Sequence, residues 1–150
     1  MLRLVTASVL LLTTLSACDF VGSDPGEFTA TVSGDVSTTL AGPAISDVQE
    51  EGTTIVLIAE GQNTGSNVRI LVDPARLTVT TLPLGGDVAS LTYALTGSGG
   101  QIPFASTSGT LRLDRIEDVI EGAFEAVAVS PGGAEVTIEG TFRAPHAITP

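Results

Sequence analysis

From Phe28 onward, apolar and polar residues alternate along most of the chain, in segments of five to eleven residues separated by Gly, Pro, Asn and Asp. A period of two belongs to strands with one face in a core and the other in water, so the pattern predicts β-structure throughout. Phe28, Ala30 and Val32 are set against Thr29, Thr31 and Ser33. Thr38 to Asp47 is less regular, contains Gly42-Pro43, and reads as an edge-like strand. Thr53 to Glu60 is apolar on both faces through Ile55-Val56-Leu57-Ile58, the mark of a central strand. Gly61 to Gly65 is a turn. Val68 to Val72, Arg76 to Leu82 and Leu91 to Leu95 follow as further strands, and then Ala105, Gly109, Leu111 and Leu113 oppose Ser106, Ser108, Thr110 and Arg112.

The last two segments alternate most cleanly. Ile120, Gly122, Phe124, Ala126 and Ala128 share one face, as do Val136, Ile138, Gly140, Phe142 and Ala144, with Glu121, Glu125, Glu135, Glu139 and Arg143 on the other faces. Ser130-Pro131-Gly132-Gly133 joins them as a hairpin loop. The segments echo one another, Ile-Glu-Gly-Ala-Phe-Glu-Ala at 120–126 and Ile-Glu-Gly-Thr-Phe-Arg-Ala at 138–144. No stretch shows a sustained helical period with caps. The expectation is an all-β domain, an antiparallel meander of eight or nine short strands folded as a two-layer sandwich, with a closed up-and-down barrel as the alternative.

The first residues follow another pattern. Arg3 precedes an uncharged, mostly apolar run from Leu4 to Leu15, the arrangement of an export signal. The run is too short for a membrane span, which takes roughly 20 apolar residues. Leu15-Ser16-Ala17-Cys18 resembles the bacterial lipoprotein signal. That resemblance implies a diacylglycerol-modified Cys18 as the mature N-terminus and a chain held on a membrane of the bacterial cell envelope. The expected organisation is then a signal peptide over 1–17, the lipidated cysteine and a short acidic tether over 18–27, and a single β-domain over 28–150. Cys18 is the chain's sole cysteine, so its lipidation leaves neither a disulfide nor a free thiol.

Charge narrows the partners. Losing Arg3 with the leader takes the formal charge from −11 to −12, and the chain has no lysine. Nucleic acid is excluded as a partner, because phosphate neutralisation needs Lys and Arg clusters. So large a negative charge also argues against the domain lying on an anionic lipid surface. It fits either a high-salt or GC-rich source or the simple solubility of an exported protein.

Together with the lipobox, Phe-x-Ala-x-Val-x-Gly (28–34), Ser-Gly-Thr-Leu-x-Leu (108–113), Glu-Gly-Ala-Phe and Glu-Gly-Thr-Phe resemble a broad group of small β-rich lipoproteins of Bacteroidota-like bacteria. The resemblance implies a fold and a location, and it carries over no functional residues.

Catalytic chemistry finds few carriers. The single histidine, His146, sits near the C-terminus, no lysine can form a Schiff base, and zinc-ligand spacings are absent. Asp114, Glu117, Asp118 and Glu121 form the one acidic cluster that could offer oxygen ligands to a metal such as Ca²⁺, but they lack the order of a calcium loop and Arg115 sits among them. Gly97-Ser98-Gly99-Gly100 lacks the Lys-Ser/Thr of a phosphate loop. No cofactor is expected. The leading expectation is a membrane-tethered, non-enzymatic binding or interaction module whose partner is an envelope protein or small ligand. The alternatives are a β-barrel carrier of a small apolar ligand or lipid, and a carboxylate-dependent hydrolase with two acids converging in one cleft.

Overall fold

The computed structural model describes residues 26–49 and 52–146. Nine strands account for most of them: β1 (Gly26–Gly34), β2 (Thr38–Gln49), β3 (Gly52–Ile58), β4 (Asn67–Val72), β5 (Thr80–Pro83), β6 (Ala89–Gly97), β7 (Gly100–Ile116), β8 (Val119–Val129) and β9 (Glu135–Pro145). Every pairing is antiparallel. The wall runs β1-β2-β3-β4-β6-β7-β8-β9, and β9 returns to β1, so eight strands close into an up-and-down barrel. The sandwich expectation is thereby corrected to the barrel alternative.

The long strand β7 makes closure possible. Its first part pairs with β6 through Gln101–Ala105, and its later part takes β5 on the same edge, Leu82 facing Leu111. Its other edge pairs with β8 from Ala105 to Ile116. A sandwich would leave edges at this point, whereas the barrel leaves only the short β5, which carries Pro83 and so offers little to another strand.

Three sequence expectations change here. Irregular β2 is not an edge strand, since it lies between β1 and β3. Its regular pairing with β3 begins only at Ala44, so Pro43, which has no N–H, falls where the ladder is already interrupted. The predicted strand over 76–82 starts late: a 3-10 turn (Pro74–Arg76), capped by Asp73 accepting from the Ala75 amide at 2.8 Å, precedes β5. In β7, a register shift between Ser106 and Ser108 places Phe104 inside and leaves Ala105 exposed, although Ala105 was expected to share a face with Leu111 and Leu113. One extra residue in a strand exchanges its faces.

The interior is one continuous apolar cluster that draws on every strand, from Phe28 and Val32 through Ile55, Ile70, Leu91 and Leu111 to Ile138 and Phe142. The sequence echo becomes a local twofold in the β8–β9 ladder. Gly122 faces Phe142, Phe124 faces Gly140, and Ala123 faces Thr141 at the centre. Each phenyl ring thus lies over the glycine opposite, the Phe124 Cζ standing 2.9 Å from where a Gly140 Cβ would be. The two rings are 6.3 Å apart. Tyr93 stacks on Phe104 directly across the β6–β7 ladder, at 5.7 Å.

Candidate functional site

The outer surface is divided by charge. β1, β8 and β9 together carry five glutamates and one arginine, whereas β2, β3 and β4 carry only Asp47 and Arg69. On the charged side the outward residues line up across strands in rows. The lowest row alternates in sign: Glu27 faces Arg143, Arg143 faces Glu121, and Glu121 faces Arg115. Above it, Thr29 stands between Ala41 and Thr141, and Thr141 leads through Ala123 to Arg112 and Thr81. The next row is Thr39, Thr31, Glu139, Glu125 and Thr110.

A groove of about 910 Å³ lies over the upper two rows. Its floor is low because the side chains there are mostly threonine and alanine. One end is raised by Glu60, Gln62 and Asn63 of the loop after β3, which contains a 3-10 turn (Gly61–Asn63). Asn63 fastens that turn to β2, donating to the Thr39 carbonyl at 2.7 Å and accepting from the Thr38 hydroxyl at 3.1 Å. Arg112 stands at the other end, held to Asp114 at 2.9 Å. Three carboxylates, Glu60, Glu125 and Glu139, therefore line a groove whose arginine already has a carboxylate partner. Glu125 and Glu139 are directly opposed in the β8–β9 ladder, both exposed, a like-charge pairing that costs stability in a sheet. Such a lining of hydroxyls and carboxylates suits a ligand that donates hydrogen bonds or carries positive charge.

The structure places the sequence-predicted acidic cluster outside this groove, at the β7–β8 turn, and gives each member an arginine. Asp114 pairs with Arg112, Glu117 and Asp118 with Arg115 at 3.2 and 3.0 Å, and Glu121 with Arg143 at 3.2 Å. Among the described residues, no group of three or more His, Cys, Asp or Glu is arranged to hold a metal ion. His146 is half-buried; its ring lies 3.4 Å from the Ser46 hydroxyl and its amide donates to the Asp118 carbonyl. Gly97 and Gly100 close the β6–β7 hairpin. Cys18 and the lipobox lie outside the described residues.

In the sequence, Glu125 and Glu139 stand out only as solvent-facing positions. The echo could have found them. Two antiparallel copies of one segment pair about a common centre, and the centre that matches Gly122 to Phe142 also matches Glu125 to Glu139.

The interior offers one polar oddity. Tyr93 is fully buried, and its hydroxyl forms no hydrogen bond of ordinary geometry. Burial pushes the phenol above its usual range, and the Ser66 hydroxyl offsets this in part. Ser66 Oγ also accepts from the Thr96 amide at 3.0 Å. Comparison with protein families, with curated proteins and with solved structures gives no match for this chain.

Proposed function

We propose that this chain is a lipid-anchored, non-enzymatic binding module of the bacterial envelope, which works through the outer groove of its charged wall. The groove carries the reading: a depression of about 910 Å³, lined by threonines, alanines and three glutamates, on a barrel whose interior holds a continuous apolar cluster. The lipobox-like Leu15-Ser16-Ala17-Cys18 supports the anchor, and the pattern shared with small β-rich lipoproteins of Bacteroidota-like bacteria supports the envelope setting. A ligand would meet a fixed threonine floor, with Glu60, Glu125 and Glu139 to receive its donors. The wall is rigid because every strand beneath the groove except β5 is paired on both edges.

Closure into a barrel also favours a second reading, a carrier of a small apolar ligand, since eight-stranded barrels can hold one small ligand inside. Native mass spectrometry of the protein isolated from its own host separates the two. On the groove reading, discrete added mass, or a partner crosslinked in the envelope, is lost in Thr141→Trp, which fills the floor, and kept in Ala126→Leu, which crowds the interior. The opposite pattern would establish the carrier. No added mass and no crosslinked partner would overturn both.

A further inference from the structure

The β2–β3–β4 wall, which carries only Asp47 and Arg69, has an apolar patch on its outer face. Ile45 stands opposite Val56 in the β2–β3 ladder, Ile58 follows Val56 on the same face, and Leu71 lies diagonally across in β4. Ile45, Ile58 and Leu71 are 49%, 39% and 42% exposed. Single exposed aliphatics are ordinary on a protein surface; Ile45 and Val56 side by side, with Ile58 and Leu71 flanking Val56 and Arg69 opposite it, make a larger apolar area of the kind that is covered in use. Asp47 and Arg69, the only charges in these three strands, cancel. In a chain of net charge −11 this face is neutral, while β1, β8 and β9 carry the acids.

The position of the chain entering β1 says what covers it. Gly26 is paired with Ala44, the neighbour of Ile45, so the residues leading in from Cys18 arrive one strand spacing, about 4.8 Å, from the patch. The eight residues from Cys18 to Gly26 reach at most about 26–29 Å. An anchor in the bilayer therefore holds this wall within reach of lipid. A second copy is a poorer occupant, because two strongly acidic barrels repel.

We propose that the β2–β3–β4 wall is the face that the anchored barrel lays on its own bilayer, leaving the charged wall and its groove turned away from lipid. The inference rests on the anchor reading. Net charge alone argues against contact with a membrane, but the acid excess stands on the other wall and the two charges of this one offset each other, so the wall meets uncharged lipid without the repulsion of the acids.

The test uses the full mature chain in phosphatidylcholine vesicles. A lipidated Cys18 has no free thiol, so Ile58→Cys and Leu71→Cys each accept one environment-sensitive label, with Thr31→Cys on the charged wall as reference. Two wall positions guard against one variant failing to fold, and intact mass reports acylation separately. The expected result is blue-shifted emission from both wall labels, quenched severalfold more by headgroup-proximal doxyl lipid than the Thr31 label. Equal quenching at all three positions in acylated protein would overturn the inference and leave the anchor standing. A blue shift without lipid quenching would mean that protein covers the wall, and would also overturn it. Unacylated chain would remove the anchor reading and this inference with it.

Discussion

At the scale of single residues, the barrel depends on two glycines that make room for two rings. A methyl group at Gly140 would lie 2.5 Å from the Thr29 carbonyl and 2.8 Å from Ala30 Cβ, neither of which can move without moving β1. Gly140→Ala is therefore expected to destabilise the fold by about 2 kcal/mol through overpacking, read as a lower urea midpoint with unchanged slope. Tyr93 predicts the opposite sign. Its buried hydroxyl lacks a bonded partner, so Tyr93→Phe should be neutral or stabilising by about 1 kcal/mol. It should also change the alkaline limb. A phenol whose folded pKa is raised contributes stability that is complete below the unfolded value of about 10 and is lost as pH rises through the folded value. Stability of the wild type should then fall above pH ~10 more steeply than that of Tyr93→Phe. With one tyrosine, no tryptophan and no lysine in the chain, absorbance at the tyrosinate band reads this titration directly.

At the scale of elements, the β8–β9 hairpin was legible almost residue by residue. Its ten predicted inward positions all face the core side, because both strands are regular and alternate without a break. β7 was legible in outline only. Alternation assumes that each residue turns the chain over once, and the extra residue near Thr107 breaks that count, so Ala105 and Phe104 exchange roles. The sequence places the loop between the strands at 130–133, whereas Ser130 closes it against Ala134, its amide donating to the Ala134 carbonyl at 2.9 Å. Within the hairpin, Glu125 and Glu139 repel across the ladder. Glu139→Gln should stabilise the protein by about 0.5 kcal/mol at low salt. The gain should shrink as ionic strength rises, which thermal melts across a salt series would show.

At the scale of the whole molecule, strand existence was legible and closure was not. Alternation says that each strand has an inner face; it does not say whether the inner faces meet as two layers or wrap round one axis. That choice depends on the reach of β7 and on the return of β9 to β1. The groove was illegible for the same reason, since its rows draw single residues from six strands that only the closed register brings side by side. One cluster running through all the strands predicts one cooperative unit. Ile70→Ala and Ile138→Ala, on different walls, should each cost about 2–5 kcal/mol and lower a single shared transition, followed by circular dichroism. Two separable transitions would show that the walls unfold independently.

The seam between β1 and β9 joins the first described strand to the last, Phe28 against Phe142. Contacts so distant in sequence are slow to form, because the intervening chain must first be ordered. A chain exported from its N-terminus would therefore wait outside the membrane, with β1 and its neighbours unsealed, until the final strand had crossed. On the envelope reading, the acid-rich, lysine-free composition would act before folding as well as after it, mutual repulsion holding neighbouring unfinished chains apart while each awaited its own last strand.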